Sequence, residues 1–520
     1  MKRWPIISLI AMLILALLAS CSPQRTTLTV LAGSELQDLE PLFPQIERET
    51  GVRLKMEYTG TLTGAEKLLS GADYDLAWFS HGKYLEMLSR EQNLVVTQEK
   101  IMLSPVVLGV KESVARELDW QDNPDVTWQD IATAAENGTL RYAMTNPAAS
   151  NSGFTALVGV ATALTGSGDA LEVSDIKGDA LQGFFKGQAL TAGSSGWLAE
   201  SYVESQDTLG GIINYESVLL NLNQDSKLQE PLTLVYPMDG IITADYPLML
   251  LNKNQRAAYD RLVSYLRSPD FQKQIMAQTL RRPAIPGIPL DPHIPDRLLI
   301  ELPFPNTVEV IDALLFSYLD EQRVPAHAYF VLDVSGSMEG EGLRDLKAAL
   351  NGLTGLDTSL TGRFSRFRGR EEISIIITFS GEVDPAQDFR VANTDPQGPD
   401  MQRIREFVDS LTAGGNTALY SALTEAYQEA SAAQAQDPDR YYSIVLMSDG
   451  ASNMGMDAGQ FSDFYRNQPA VARGIRAFPV IFGKADRTTM EGIAAITGGR
   501  AFDGTRDPLD AIFKQIRGYQ

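Results

Sequence analysis

Cysteine and histidine are scarce in this chain, and their scarcity excludes several kinds of site. The 520 residues include one cysteine, Cys21, and three histidines, His81, His293 and His327. A single cysteine forms no intramolecular disulfide and no cysteine-based zinc cluster. The three histidines lie far apart in the sequence and show no metal-ligand spacing. A zinc centre of the usual cysteine and histidine type is therefore not expected.

Basic residues are also few relative to acidic ones. The chain has 44 Lys and Arg against 66 Asp and Glu, a net charge of −22. This charge repels nucleic acid and anionic membrane surfaces, so nucleic acid is not expected as a partner. Hydrophobic residues make up 44% and charged residues 21%, as in globular proteins. Because 520 residues exceed one ordinary core, roughly two to four domains are expected.

The first 21 residues have the pattern of an export signal. Lys2 and Arg3 precede an apolar segment at 6–18, and small residues lead to Cys21. The segment resembles the lipobox of bacterial lipoproteins, which implies cleavage before Cys21 and lipidation of its sulfur. The alternatives are an uncleaved membrane anchor or a buried thiol. We predict a protein of the cell envelope, extracytoplasmic and lipid-anchored to a membrane.

Strands alternate with helices through the first half of the chain. Apolar runs predict strands at 26–32, 52–58 and 74–79. This alternation implies a parallel, doubly wound sheet, in which the loops after the strand ends line a ligand crevice. An extended stretch at 104–110 is expected to cross to a second lobe. The chain is expected to return to the first lobe for a long helix at 256–276.

The second lobe is predicted to contain strands at 140–144, 211–219 and 232–236. A polar loop at 146–153 opens a helix there, and such a helix N-terminus suits an oxyanion or carboxylate. Because Ser, Thr and Asn are also favoured helix N-caps, each of these loop side chains has a structural alternative. The candidate ligand-binding residues of the two lobes are Ser34, Thr61, Ser80, Asn151, Ser152, Tyr215 and Asp239.

The first half resembles the two-lobed bacterial extracellular solute-binding proteins. The resemblance covers most of 27–290 and rests on loops such as GSELQDL and NPAASNSGF in this architecture. It implies a type 2 periplasmic-binding fold, in which a small molecule binds between lobes that close by a hinge. We predict a signal peptide at 1–21, this domain at 22–295, and a proline-rich linker with a connecting helix at 296–325.

The second half is organised around the loop DVSGSM, which follows a buried strand. Two more loops carry a hydroxyl at a helix start and a carboxylate after a central strand. Because the carboxyl ends of parallel strands meet at one sheet edge, these side chains are expected to converge. The candidate metal ligands are Asp333, Ser335, Ser337, Thr417 and Asp449. This all-oxygen set suits Mg²⁺, with Mn²⁺ close behind and Ca²⁺ fitting less well.

Residues 326–520 resemble the von Willebrand factor type A domain. The segments DVSGSM, GGNT and MSDG match the three parts of its metal-ion-dependent adhesion site. The resemblance implies that the two serines and the threonine contact the metal directly, and that Asp333 and Asp449 act directly or through water. An open coordination position would then accept an Asp or Glu of a protein partner.

Together these features predict a membrane-tethered binding or adhesion lipoprotein that is not an enzyme. The sequence has no Ser/His/Asp or Cys/His set, no nucleophile elbow and no P-loop. The alternative function is the solute-binding receptor lipoprotein of an ABC-type uptake system. A basic, aromatic segment at 363–370 leaves two interpretations open: a solvated loop, or a surface that docks an anionic partner.

Overall fold

The computed structural model describes most of the chain beyond the N-terminal segment. It covers residues 25–520 except 167, 177, 380, 381, 384, 385, 450, 451, 453 and 484. The predicted signal peptide and the lipidation of Cys21 lie outside the described residues. Within the part of the chain that is described, no helix is both long and apolar enough to cross a bilayer.

The first lobe is built on a five-stranded sheet. Its strand order is Val52–Thr59, Thr26–Gly33, Leu76–Trp78, Pro247–Leu250 and Thr97–Lys100. The first three strands are parallel, whereas Pro247–Leu250 is antiparallel to both of its neighbours. The sheet is therefore mixed, whereas a parallel sheet was predicted. The difference arises because Pro247–Leu250 enters the sheet as the chain returns from the second lobe.

Helices cover the sheet of the first lobe. They are Ser34–Leu42, a 3-10 helix, and the α-helices Phe43–Thr50, Thr61–Leu69, Lys83–Leu88, Arg256–Leu266 and Pro269–Thr279, with a short 3-10 turn at Lys253–Gln255. The single long helix predicted at 256–276 is wrong. Pro269 begins a new helix, where its missing N–H costs nothing, and so divides the segment in two.

The second lobe has its own sheet around the long strand Met102–Lys111. The main strand order is Thr243–Ala244, Met102–Lys111, Gly211–Tyr215, Tyr142–Thr145 and Gln188–Ala192, and Leu232–Val235 and Arg282–Pro283 also pair with the long strand. The helices are Glu112–Glu117, Trp128–Glu136, Asn151–Thr165, Gly178–Lys186, Ser195–Ser205 and Glu216–Gln224, with a 3-10 turn at Val173–Asp175.

The strand predicted at 211–219 ends four residues early. A helix begins at Glu216, whose fully buried carboxylate accepts hydrogen bonds from Arg282 and from the Tyr236 hydroxyl. Short apolar runs such as 218–220 suit a strand or a buried helix equally well. The distant arginine and tyrosine, which local periodicity does not show, hold this turn of helix in place.

Two segments connect the lobes side by side. The chain leaves the first lobe through 97–111 and returns through 243–250, with Thr243 opposite Pro105 and Pro247 opposite Lys100. The predicted crossing and return are thus present. Tyr246 lies between these two pairings. Its φ of 39° is in the positive region that residues other than glycine rarely adopt.

The second domain is a doubly wound sheet with five parallel strands. Its order is Glu382–Val383, Glu372–Phe379, Ala326–Asp333, Tyr441–Ser448, Arg476–Ile481 and Phe502–Asp503, with Gln387–Arg390 also on Glu372–Phe379. Only the two short strands Glu382–Val383 and Gln387–Arg390 are antiparallel to their neighbour. The helices are Glu341–Asn351, Gly362–Ser365, Pro399–Ser410, Leu419–Gln436, Ala458–Arg466, Arg487–Thr497 and Leu509–Arg517, with 3-10 turns at Gly336–Met338 and Ala472–Gly474 and a π-helical turn at Gly352–Leu356.

A helix, Val308–Ser317, and a π-helical turn, Tyr318–Gln322, connect the two domains. The basic segment 363–370 packs against this connector. Arg363 forms two 2.7 Å hydrogen bonds with Asp312, and the fully buried Arg368 lies 3.3 Å from Asp320. The interpretation as a solvated loop is therefore wrong, because Phe364, Phe367 and Arg368 are buried, whereas docking of an anionic partner stays a prediction. Two of the segment's four arginines, Arg363 and Arg368, pair with carboxylates of the connector, which the local sequence does not reveal.

A buried ionic cluster holds the connector, the sheet and the last helix together. Glu371 accepts two 2.7 Å hydrogen bonds from Arg517 and another from Arg323, and all three side chains are almost inaccessible to solvent. Burial raises the pKa of Glu371, but the charges of Arg517 and Arg323 outweigh burial and hold this pKa below its ordinary value.

Removing this carboxylate should destabilise the protein strongly. Glu371→Ala leaves two buried guanidinium groups without their carboxylate, a defect that costs about 3–5 kcal/mol. We expect a clear drop in the denaturation midpoint by circular dichroism. The control is Glu491→Ala, which breaks only a solvent-exposed pair with Arg487 and should leave the midpoint unchanged. Equal midpoints for the two variants would contradict the role of Glu371.

Candidate functional sites

Asp333 ends the central strand of the second domain and is fully buried. Its Oδ1 accepts a 2.8 Å hydrogen bond from the backbone N–H of Ser335, and its Oδ2 accepts a 2.5 Å bond from the hydroxyl of Ser448. A hydrogen-bond donor on each oxygen fixes the position of this buried carboxylate. The buried carboxylate therefore has a defined orientation at the edge of the sheet.

The second carboxylate of the edge belongs to Asp449, which follows the neighbouring strand Tyr441–Ser448. The Ser337 hydroxyl donates a 2.7 Å hydrogen bond to Asp449 Oδ1, and the hydroxyl oxygens of Ser335 and Ser337 are 3.0 Å apart. Ser337 is exposed, whereas Asp333, Ser335, Ser448 and Asp449 are buried. The cluster therefore reaches solvent through Ser337.

Backbone hydrogen bonds attach the loop that contains GGNT to the loop that contains DVSGSM. Gly414 N–H donates to Val334 O at 2.8 Å, and Gly336 N–H donates to Gly415 O at 3.2 Å. Gly415 has φ of 76°, a conformation that glycine adopts without steric cost. This attachment brings the buried Thr417, two residues further on, to the same edge.

The edge therefore collects oxygen donors from three loops. Among the described residues no group of three or more His, Cys, Asp or Glu side chains is placed to hold a metal. A cation at this edge would need hydroxyl ligands beside its two carboxylates, and the hydroxyls of Ser335 and Ser337 lie beside them.

Ser448 was not among the candidate residues. Its position next to Asp449 in MSDG was the one local sign that Ser448 could belong to the site. Its hydrogen bond to Asp333 depends on the pairing of the strands Ala326–Asp333 and Tyr441–Ser448.

Three of the candidate solute-binding residues meet across the cleft of the first domain. The Tyr215 hydroxyl donates a 2.9 Å hydrogen bond to the Ser80 hydroxyl, and Asn151 Nδ2 donates to the Tyr215 hydroxyl at 3.2 Å. Ser80 follows a strand of the first lobe, whereas the other two residues belong to the second lobe. The two lobes are therefore in direct polar contact.

The other candidates have different surroundings. Ser152 Oγ lies 2.8 Å from Thr145 Oγ1, within the second lobe. Thr61 is buried at the start of its helix, and Ser34 is half-buried at the start of the 3-10 helix Ser34–Leu42. Both carboxylate oxygens of Asp239 lie 3.1 Å from the backbone nitrogen of Trp128, at the start of a helix. Asp239 is not in the hydrogen-bonded cluster around Tyr215.

Two buried polar groups near this cluster were not predicted, Glu35 and Tyr246. Glu35 Oε1 and the Tyr246 hydroxyl are buried and have no hydrogen-bond partner among the described residues. Burial raises the pKa of Glu35, opposed by hydrogen bonds to its own backbone and to Ser80 and by the charge of Arg281. Glu35 directly follows the candidate Ser34, but nothing local indicated that Tyr246 would lie at the crossing of the lobes. Unpaired buried groups of this kind are where a ligand or water can bind.

Family models identify both domains. Residues 28–278 match the bacterial extracellular solute-binding protein family, and residues 328–515 match the von Willebrand factor type A domain. The chain joins a solute-binding domain to a von Willebrand factor type A domain. This confirms the predicted fold class and the order of the two domains. The two domains support an extracytoplasmic binding or adhesion function, and both types are typically non-catalytic.

Curated relatives match a limited part of the chain. The inter-alpha-trypsin inhibitor heavy chains H3 of Pongo abelii and Homo sapiens are each 29% identical over 157 residues, which is 29% of this chain. The matched region spans only 16% of the length of those relatives. Their activities are therefore not transferred to this protein.

Solved structures of periplasmic binding proteins are also similar to part of this chain. The periplasmic binding protein AfuA of Actinobacillus pleuropneumoniae, with fructose-6-phosphate bound, is 14% identical, with a TM-score of 0.45 over 57% of this chain and 99% of its own. The sulfate-binding protein SubI of Mycobacterium tuberculosis is 18% identical, with a TM-score of 0.41 over 51% of this chain and 88% of its own. Identities this low transfer no ligand to the present chain.

Proposed function

We propose that this protein is a non-catalytic, extracytoplasmic adhesion protein whose von Willebrand factor type A domain holds Mg²⁺. The supporting observation is the hydrogen-bonded cluster at one sheet edge, where Ser337 contacts Asp449 and Ser448 contacts Asp333. Two carboxylates balance a divalent charge, and Mg²⁺ prefers oxygen ligands and retains several waters. Mn²⁺ is the next candidate, and Ca²⁺ fits less well. The proposed ligands, direct or through water, are Asp333, Ser335, Ser337, Thr417 and Asp449.

The proposed partner is a protein that presents an Asp or Glu. Without a cation, the carboxylates of Asp333 and Asp449 would repel such a partner, since like charges at close range cost free energy. A bound divalent ion would reverse this and accept the partner's carboxylate on the solvent side, where Ser337 is exposed. A lipid on Cys21 would tether the protein to a membrane and hold this edge at the cell surface or in the periplasm.

Loss of Asp333 should abolish tight Mg²⁺ binding. Because residues that merely orient a ligand already contribute about tenfold or more to metal affinity, Asp333→Ala should weaken binding at least about tenfold. The measurement is calorimetric titration of detergent-solubilised full-length protein with MgCl₂. The matched control is Asp345→Ala on the following helix, whose carboxylate faces Arg344 and lies outside the cluster. An Asp333→Ala titration identical to that of the unaltered protein would contradict the site.

Partner capture should depend on the same site. We expect full-length protein to retain envelope proteins from a solubilised membrane extract in Mg²⁺ and to release them in EDTA, with mass spectrometry as the readout. Asp333→Ala should capture none of them even in Mg²⁺, whereas Asp345→Ala should behave normally. Recovery of the same proteins in EDTA and in Mg²⁺ would rule out metal bridging while leaving Mg²⁺ binding itself to be judged by calorimetry.

The second candidate function is solute reception for an ABC-type uptake system. It is favoured by the buried Glu35 Oε1 and Tyr246 hydroxyl, which lack partners among the described residues, beside the Ser80–Tyr215–Asn151 cluster. A small solute with hydrogen-bond donors would satisfy Glu35. The ligand would lie between the two lobes, where Tyr215 bridges them.

A solute bound there should raise the melting temperature, since a ligand that binds only the folded state stabilises it. The measurement is a thermal-shift screen of amines, sugars and amino acids on the full chain. Tyr215→Phe should reduce the shift from any hit, because it removes the hydroxyl that contacts Ser80 and Asn151. Tyr427→Phe is the control, as its hydroxyl donates to Ile475 O inside the other domain. No shift with any compound would count against the receptor function.

A further inference from the structure

A segment that follows the solute-binding domain runs along the crossing of the two lobes. We call residues 300–322 the strap. Ile241 N–H donates to Ile300 O at 2.8 Å, and Leu302 N–H donates to Ile241 O at 2.7 Å. The carboxylate of Glu301 accepts from the backbone and side chain of Thr243 at 2.8 and 2.7 Å. The strap thus begins with a single β-bridge between Glu301 and Ile241, just before the returning connection.

Phe304 of the strap lies between the two lobes. Its ring stacks on His81 of the first lobe with centroids 4.6 Å apart, and it meets Phe154 of the second lobe edge-on at 5.7 Å. Phe304 is 4% exposed, so opening the lobes would transfer an aromatic ring to water. Burial lowers the pKa of His81 to about 4, with Asp245 opposing and Lys83 and Lys100 reinforcing this effect, so the stacked imidazole is neutral near pH 7.

The connecting helix and turn of the strap continue across both lobes. Tyr318 packs edge-on against Phe185 at 4.8 Å and donates to Gln188 Oε1 at 3.4 Å, both in the second lobe. On the other side, the helix Val308–Ser317 contacts the helix Lys83–Leu88 of the first lobe. The buried Ile311, Leu314 and Leu315 belong to the same hydrophobic core as both lobes.

The von Willebrand factor type A domain reinforces the same arrangement. Arg363 of this domain donates two hydrogen bonds to Asp312 of the strap. Thr361 of this domain donates a hydrogen bond to Glu66 of the first lobe. Tyr519 packs edge-on against Trp197 of the second lobe at 4.7 Å.

We infer that the strap acts as an intramolecular ligand that holds the solute-binding lobes closed in the absence of any solute. Each lobe contacts the strap and the second domain, so a hinge opening must break both sets of contacts at once. Access of a solute to Glu35 and Tyr246 would then require release of the strap. This inference concerns the first domain and does not depend on metal binding.

Distances between spin labels on the two lobes test this inference. The labels are attached to the full chain carrying Cys21→Ser, Lys55→Cys and Gln129→Cys, at exposed sites of the first and second lobe. Pulsed electron paramagnetic resonance should give one narrow distance distribution without added solute. Phe304→Ala should broaden it and lengthen the mean distance, because the ring that joins His81 and Phe154 is gone.

A matched truncation separates this effect from general loosening. Phe389→Ala removes a ring that packs on Phe407 within the second domain and should leave the distribution unchanged. If Phe304→Ala fails to fold, Asp312→Ala tests the same point by freeing the strap from Arg363. A broad distribution in the unaltered strap overturns the inference. A narrow, unchanged distance distribution in folded Phe304→Ala protein also overturns the inference. If Phe304→Ala does not fold, the same result in Asp312→Ala protein overturns it.

Discussion

The parallel pairing of the strand Ala326–Asp333 with both of its neighbours is the constraint on which the second domain depends. It brings the end of this strand beside the end of Tyr441–Ser448, so that Asp333 and Asp449 share one sheet edge. Two carboxylates this near repel each other unless donors or a cation compensate. Hydroxyls and backbone N–H groups supply part of this compensation, and a divalent cation would supply the rest.

Buried arginines hold distant segments of this acidic chain together. Several of its relatively few arginines are buried at internal contacts: Arg281 and Arg368 are fully buried, and Arg323 and Arg517 nearly so. Each forms an ion pair with a carboxylate of another segment, Asp38, Asp320 or Glu371. Because these pairs remove both signs of charge, the chain as a whole keeps its net charge of −22. An acidic partner is therefore repelled except where a local positive charge attracts it.

The two proposed functions make different demands on the same architecture. A receptor must open to admit its solute, whereas the proposed adhesion function would gain from a rigid base beneath the proposed metal site. The strap, Phe304 above all, favours rigidity, because it replaces a transient closed state with permanent contacts. Glu35 Oε1 and the Tyr246 hydroxyl, which lack a well-aligned partner among the described residues, remain the feature that a solute would explain.

Local sequence was sufficient for the strand–loop–helix order, the two domain types and the three loops that meet at one sheet edge of the second domain, because apolar periodicity and short loop motifs are properties of neighbouring residues. It misjudged the length of the strand at 211–215, the helix interrupted at Pro269 and the surroundings of 363–370. It also missed Ser448, Tyr246 and the position of Phe304. Each of these depends on a contact between residues far apart in the chain, Glu216 with Arg282 or Arg363 with Asp312 among them. Such contacts exist only once the strands and lobes have packed, so the tertiary structure alone decided them.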